Sequence, residues 1–154
     1  MPDAAAAEEA ALTRSSLEAA RRLYAEYGRG NRAAVLDALA PDVSWTSNSG
    51  PELPWGGLWR GRDGVEAYFA RLDATLRVTT YEVEHTIAQG EWVVVLARAT
   101  GRFLPTGEEV TLGKADALRL RDGRLLEFRE YYDTASALAA LGRCGDGGGA
   151  GRPG

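Results

Sequence analysis

The chain has 154 residues, of which 45% are apolar and 26% charged, and its net charge is −4. These values are typical of one soluble domain with a hydrophobic core. The arginines are scattered along the chain, whereas nucleic-acid binding requires a clustered basic face. No apolar run approaches the roughly 18 residues of a membrane span, and the acidic N-terminus lacks the features of a signal peptide. We therefore expect a cytoplasmic protein with no nucleic-acid or membrane partner.

Cysteine and histidine are too few for the usual structural sites. The chain has one cysteine, Cys144, and one histidine, His85. A disulfide needs two cysteines, and a typical zinc site needs several cysteine or histidine ligands. We therefore expect no disulfide, no metal and no cofactor.

Helical spacing of apolar residues dominates the first half of the chain. Residues 1–9 are rich in alanine and glutamate and are expected to be disordered. Apolar residues then recur at helical spacing up to Gly28, and Asn31 can cap a short helix that stops before Pro41. The predicted helices span residues 15–28, 31–39, 61–76 and 134–141, with Thr134 as the cap of the last one.

Alternating patterns and turn residues predict strands in the second half. A first strand is expected at 43–47, followed by a loop over 48–60 that is rich in glycine, proline and tryptophan. The later strands are predicted at 78–88, 91–103, 110–120 and 124–132. The glycine-rich residues 143–154 are expected to be a disordered tail, which leaves a single domain over 10–142.

This order of elements predicts an α+β fold. Helices gathered on one face of a strongly curved antiparallel sheet form a cone with a pocket between the two layers. The pocket is the natural place for a functional site.

The hairpin around Asp122-Gly123 carries carboxylates on an otherwise apolar face. Asp-Gly between alternating apolar residues is a strong hairpin signal. A three-residue loop would pair Leu120 with Arg124 and place Asp116 opposite Phe128. The predicted face contains Leu112, Lys114, Asp116, Leu118, Leu120, Leu126, Phe128, Glu130 and Tyr132. A carboxylate in such surroundings is paired, protonated or functional.

Residues 17–141 resemble the SnoaL-like and ketosteroid-isomerase-related branch of the nuclear-transport-factor-2-like superfamily. The resemblance is carried by Leu23–Tyr27 with Gly30-Asn31, by Leu39–Val43, by Arg60-Gly61, and by Arg121–Gly123 together with Phe128–Thr134. It implies a cystatin-like α+β roll in which a cone-shaped sheet packs on N-terminal helices. It is specific for the fold and weak for the chemistry, because this superfamily hosts many functions.

The resemblance also implies roles for individual residues. Tyr24 and Asp116 stand where the steroid isomerases form an oxyanion hole with a tyrosine and a protonated aspartate. Ser47 stands near the position of their proton-abstracting aspartate. In the SnoaL-like cyclases a pair on the last two strands aligns with Asp116 and Glu130, which makes Glu130 the general base and Asp116 the proton donor.

The leading hypothesis is therefore a cofactor-free isomerase or cyclase that moves a proton on a small apolar carbonyl compound. The predicted catalytic residues are Asp116, Glu130 and Tyr24. The residues predicted to bind the substrate are Trp45, Trp55, Trp59, Phe69, Arg98, Leu118, Phe128 and Tyr132.

Other interpretations stay open at this point. Ser47 in place of a base favours a non-catalytic module for ligand binding or dimerisation. Arg98 and Glu130 match two members of the Asp-Arg-Asp set of limonene-epoxide-hydrolase-like proteins, but Thr100 replaces the third. The tryptophans can form a small core, and Asp116 and Glu130 can form a purely structural buried network.

The outer face of the sheet is expected to pair two subunits, as it usually does in this superfamily. Its residues mix large aromatic side chains with both signs of charge, which suits a homodimer interface. They are Trp92, Arg102, Arg119, Glu127, Arg129 and Tyr131.

Overall fold

The computed structural model describes residues 3–142. Within that range the helices are α1 (Ala4–Gly28), α2 (Arg32–Asp37), α3 (Gly61–Thr75) and α4 (Thr134–Ala140). The strands are β1 (Leu39–Ser47), β2 (Gly57–Arg60), β3 (Leu76–Gln89), β4 (Trp92–Phe103), β5 (Glu109–Arg121) and β6 (Arg124–Tyr132). The predicted tail and Cys144 lie outside the described residues.

The strands form one curved sheet in the order β2-β1-β6-β5-β4-β3. β1 and β6 run parallel, and every other neighbouring pair in this sheet is antiparallel. Helix α1 contacts β3, β4 and β5, while α3 contacts β1. This arrangement confirms the predicted α+β fold with helices on one face of a curved sheet.

Several element boundaries differ from the prediction. Helix α1 begins at Ala4, so residues 4–9 are helical and the expectation of disorder there is wrong. Alanine is the strongest helix former, and the side chain of Asp3 caps the helix by accepting a hydrogen bond from the Ala5 amide. At the other end of the chain, Asp133 rather than Thr134 caps α4, because its carboxylate accepts from the Ser136 amide at 3.0 Å.

The segment predicted as a loop contains an additional strand. β2 pairs with β1, which itself begins at Leu39 rather than at Val43. Residues Gly57 to Arg60 have little strand signal of their own, and their pairing depends on a neighbour that the local pattern does not reveal.

The core lies between the helices and the inner face of the sheet. On β4 the side chains of Val93, Val95 and Ala97 are buried in alternation. The alternation places Arg98 on the opposite face, where it is exposed. The inner face of β5 and β6 continues this core and carries the site.

Candidate active site

A tight turn joins the two strands that carry the carboxylates. Arg121 pairs with Arg124, which leaves only Asp122 and Gly123 in the loop. Both loop residues have positive φ, of 50° and 76°, as a type I′ turn requires. The predicted three-residue loop is therefore wrong.

An irregularity just before the turn then sets the register of the hairpin. The pairing shifts between Arg119, which faces Glu127, and Leu120, which faces Leu125. As a result Leu125, rather than Leu126, is the buried leucine of β6. The shift also places Asp116 directly opposite Glu130, where the prediction had placed them diagonally.

Lys114 lies between the two carboxylates. Its Nζ is 3.2 Å from Asp116 Oδ1 and 3.0 Å from Glu130 Oε2. Asp116 is 1% exposed and Glu130 is 4% exposed, so two acidic groups share one cation inside the protein. Lys114 is the single lysine of a chain that has 17 arginines.

Three tyrosines from other elements donate hydrogen bonds to these carboxylates. Tyr24 on α1 donates to Asp116 Oδ2 at 2.5 Å, and Tyr81 on β3 donates to the same oxygen at 2.7 Å. Tyr68 on α3 donates to Glu130 Oε1 at 2.7 Å. Hydrogen bonds from buried hydroxyls stabilise a charged carboxylate that has lost its water.

One oxygen of this network accepts no hydrogen bond. Among residues 3–142, the buried side-chain polar atoms without a hydrogen-bond partner are Asp116 Oδ1 and Trp45 Nε1. Asp116 Oδ1 lies within ion-pair distance of Lys114 Nζ, but the two atoms are not aligned as a hydrogen bond. This oxygen is therefore held by the charge of Lys114 alone.

The acid and the cation have shifted pKa values. Burial raises the pKa of Asp116, and the charge of Glu130 raises it further, against the opposing effects of Lys114 and of the hydrogen bonds from Tyr24 and Tyr81. Burial lowers the pKa of Lys114, but the charges of Asp116 and Glu130 outweigh this effect and hold it well above its usual value.

The tyrosines keep their protons. Burial raises the pKa of Tyr24, Tyr68 and Tyr81, and the neighbouring carboxylate of Asp116 or Glu130 adds to the shift in each case. The three hydroxyls therefore act as neutral donors at physiological pH.

The carboxylates lie in the wall of two small neighbouring cavities. The first has a volume of about 50 Å³ and is lined by Asp116, Glu130, Lys114 and mostly aromatic side chains, among them Trp45, Phe69 and Phe128. The second, of about 60 Å³, shares Lys114 and Glu130 and adds Trp55 and Tyr132. The two cavities therefore meet at the charged group.

Five of the predicted ligand-binding residues line these cavities, and three do not. Arg98 is exposed on the outer face of the sheet, because Ala97 beside it faces the core. Leu118 is fully buried without lining either cavity, and Trp59 packs beside Tyr68 with its Nε1 donating to the Trp55 carbonyl. The cation of the site is Lys114 instead of Arg98.

Ser47 occupies the inner face beside Glu130, to which it is paired in register. Its hydroxyl is buried and shares a hydrogen bond of 2.8 Å with the hydroxyl of Tyr132. The carboxylates among the residues that line the two cavities are Asp116 on β5 and Glu130 on β6.

Sequence reasoning missed the roles of Lys114, Tyr68 and Tyr81. Tyr68 lies on the buried side of α3, but nothing in the local sequence indicates that its hydroxyl reaches β6. The one available signal was compositional, because a lone lysine stands on the acidic face of a chain that otherwise uses arginine.

The comparisons with known proteins concern the family and the fold of this chain. Residues 20–128 match the family model described as the SnoaL-like domain. The chain belongs to the SnoaL-like domain family. A search of curated proteins found no match to this SnoaL-like protein.

Solved structures share its fold. An NTF2-like protein from Burkholderia xenovorans is 27% identical, with a TM-score of 0.72 over 86% of this chain and 96% of its own. An NTF2-like protein of unknown function from Burkholderia pseudomallei is 28% identical, with a TM-score of 0.74 over 82% of this chain and 97% of its own. TerC, co-crystallised with polyporic acid, is 23% identical, with a TM-score of 0.73 over 83% of this chain and 98% of its own. At that identity, TerC supports the fold alone.

None of the helices in residues 3–142 combines the length and the apolar character needed to cross a bilayer. The same residues contain no cluster of histidine, cysteine, aspartate and glutamate arranged to hold a metal ion.

Proposed function

We propose that this protein is a cofactor-free enzyme that transfers a proton on a small apolar carbonyl compound, as an isomerase or cyclase does. The observation that carries the proposal is the buried group of Asp116, Lys114 and Glu130 in the wall of an aromatic cavity. One cation cannot neutralise both carboxylates, and the excess negative charge is relieved when one of them binds a proton.

The geometry supports different roles for the two acids. Lys114 and Tyr68 donate hydrogen bonds to the two oxygens of Glu130 and fix its position on the cavity wall, and we assign it as the general base. Asp116 has a raised pKa, and its Oδ1 accepts no hydrogen bond although it lies in the wall of the cavity. We therefore assign Asp116 as the general acid.

The proposed step is a balanced proton transfer. Glu130 removes a proton from the carbon beside the carbonyl, and Asp116 gives its own proton to the carbonyl oxygen, which produces an enol. In an isomerase, Glu130 then returns its proton to a different carbon, which shifts the double bond. In a cyclase, the enol carbon instead attacks a second carbonyl group, which closes a ring. Neither outcome needs an oxidant or a reductant.

Tyr24 supports this chemistry through Asp116. Its hydroxyl donates to Asp116 Oδ2 instead of pointing at a ligand oxygen, so we assign it to holding the acid in place. Tyr81 donates to the same oxygen and shares that role.

The cavities suit a compact ligand. Pockets for drug-sized molecules usually measure hundreds of cubic ångströms, whereas these two measure about 50 and about 60 Å³. A polycyclic ligand would require the side chains that separate the two cavities to move, Lys114 among them.

A non-catalytic ligand-binding module is the second candidate. Ser47 supports it, because a hydroxyl replaces the carboxylate expected on β1. Epoxide hydrolysis loses its support, because Arg98 is on the outer face and away from Glu130.

The test is deuterium incorporation in heavy water. A panel of small cyclic ketones and enones is incubated with the protein, and exchange at the carbon beside the carbonyl is followed by proton NMR. We expect exchange on at least one compound and a loss of about 10²-fold or more in Glu130→Gln, since general base catalysis contributes that much.

Asp116→Asn should lose activity to a similar degree, and Glu127→Gln serves as the control. Glu127 is also on β6, but it pairs with Arg119 and Arg129 away from the cavities. Folded Glu130→Gln and Asp116→Asn proteins with unchanged exchange rates would exclude these roles. No exchange on any compound, with tight binding of one, would favour the non-catalytic module.

A further inference from the structure

The indole group of Trp45 presents a hydrogen-bond donor that no described residue accepts. Trp45 is 4% exposed, and its Nε1 has no hydrogen-bond partner among residues 3–142. A buried donor without an acceptor is rare in folded proteins and costs free energy. Such a group requires an explanation in terms of water or a ligand.

The ring is fixed by its aromatic neighbours. Trp45 stacks on Phe128 at a centroid distance of 3.9 Å, and Tyr68 and Phe69 contact it at 5.3 Å and 5.5 Å. Its strand position is also fixed, because β1 pairs Trp45 with Phe128 and Ser47 with Glu130. The indole therefore cannot turn freely to seek an acceptor elsewhere.

The indole N–H of Trp45 and the Oδ1 atom of Asp116, which both lack a hydrogen bond, belong to residues that line the same cavity. Trp45 and Asp116 both line the first cavity, and Nε1 and Oδ1 are the buried side-chain polar atoms of residues 3–142 that make no hydrogen bond, although Oδ1 has the ion-pair contact with Lys114. By contrast, Trp59 lines neither cavity and its Nε1 donates to the Trp55 carbonyl. The buried atoms that lack a hydrogen bond thus belong to residues of the cavity in which a ligand would bind.

We propose that the indole N–H of Trp45 donates a hydrogen bond to an oxygen of the bound ligand and makes the pocket selective for carbonyl compounds over hydrocarbons of the same shape. Trp45 is then a specificity-determining residue. The inference rests on the proposed function only in taking this cavity as the binding site.

The probes are cyclohexanone and methylenecyclohexane, which differ in having C=O or C=CH₂ at one position. Binding to the intact protein is followed by NMR, with the four indole N–H signals resolved in a ¹⁵N-labelled sample. We expect cyclohexanone, and not methylenecyclohexane, to shift the Trp45 indole signal downfield. Single Trp→Phe variants of the other three tryptophans assign that signal by elimination, so the measurement does not depend on Trp45→Phe folding.

The variant Trp45→Phe keeps an aromatic ring and removes the donor. The ratio of the two dissociation constants, hydrocarbon over ketone, should fall by about 2- to 10-fold in Trp45→Phe, which is what the net contribution of one neutral hydrogen bond implies. Trp92→Phe, which alters an exposed tryptophan, should leave the ratio unchanged.

A Trp45 signal that stays in place while other cavity residues shift would overturn the inference, and so would an unchanged ratio in Trp45→Phe or a complete absence of ketone binding. Glu130→Gln separates this inference from the proposed function. If Glu130→Gln retains proton exchange, the catalytic proposal fails, while the Trp45 signal still reports whether the ketone uses the indole.

Discussion

At the scale of single residues, the site places two carboxylates and one ammonium group among buried, mostly aromatic side chains. Asp116 and Glu130 are held by one ammonium group and three phenol groups. The ammonium group belongs to the same hairpin, whereas the phenol groups come from α1, α3 and β3. Buried charges of this kind are costly unless they are paired and hydrogen-bonded. Both carboxylate oxygens of Glu130 accept a hydrogen bond, whereas Asp116 Oδ1 accepts none.

The first prediction concerns the pH dependence that Asp116 gives to stability. Its folded pKa is raised above the unfolded value of about 4. Protonation of Asp116 therefore favours the folded state, and this contribution is full below about pH 4 and is lost as the pH rises through the folded pKa. Asparagine does not ionise, so Asp116→Asn does not lose this stability as the pH rises. The unfolding free energy of the variant minus that of the wild type should therefore increase by up to about 1.4 kcal/mol per pH unit within this window.

Urea unfolding of both proteins from pH 4 to pH 7 provides the measurement. The comparison with Glu127→Gln, which alters a carboxylate on the outer face, controls for general charge effects. A constant difference between wild type and Asp116→Asn across the range would contradict a raised pKa.

The second prediction concerns Lys114. Lys114→Met removes the cation and leaves two facing carboxylates without a counter-charge, which should reduce the unfolding free energy at pH 7 by about 3–5 kcal/mol. The loss should shrink toward pH 4, because the raised pKa of Asp116 lets that carboxylate bind a proton there. Arg98→Met, which removes an exposed cation, should cost less than about 0.5 kcal/mol. Equal losses in the two variants would show that Lys114 does not compensate the acids.

At the scale of elements, the β5–β6 hairpin determines which acids meet. Its type I′ turn needs a left-handed conformation at Gly123, and its irregularity at Arg119 and Leu120 brings Asp116 opposite Glu130. A change in this turn should therefore act on both stability and the site.

The third prediction tests the turn. Gly123→Ala should reduce the unfolding free energy by about 1–2 kcal/mol, because a Cβ atom strains the left-handed conformation. A Cβ atom at Gly123 meets no atom within 4 Å, so crowding is excluded as the cause. Gly113→Ala is the matched control, since Gly113 lies in β5 with the same free space and without positive φ. Equal effects in urea unfolding would show that the turn conformation is not the cause.

Local sequence signals predicted the hairpin, its acidic face and the four helices of the described residues, because turn residues and periodicity act over short distances. They failed at the register, which depends on how Leu120 and Leu125 pack in the core. They also failed for Arg98, because Val94 and Leu96 on the outer face are as apolar as the core residues between them. The roles assigned to Asp116 and Glu130 stay predictions.

At the scale of the whole molecule, the outer face of the sheet offers a surface for self-association. Trp92 and Tyr131 are 36% and 44% exposed there. Around them, Arg129 lies over the Trp92 ring and pairs with Glu127, which Arg119 also contacts. Exposed aromatic rings among paired charges resemble the composition of protein interfaces more than that of an open surface.

The fourth prediction is that this face pairs two copies of the chain, which we propose as the oligomeric state. Sedimentation at micromolar concentration should give the mass of a dimer, and Tyr131→Asp should convert it to a monomer by placing a charge in the interface. Leu58→Asp, which alters an exposed leucine on β2, should remain dimeric. A wild-type protein that sediments as a monomer would rule out the interface.

The parallel pairing of β1 with β6 has a consequence for how the protein matures on the ribosome. β1 emerges early, but apart from the four-residue β2 its partner in the sheet is β6, about eighty residues further along the chain. Contacts between such distant segments form late, because a long stretch of chain must be ordered before they can close. Trp45 therefore has no complete cavity to line until β6 docks, because Phe128 and Glu130 of that strand belong to the same wall. A nascent chain that ends before this strand lacks the completed sheet and also part of the cavity wall.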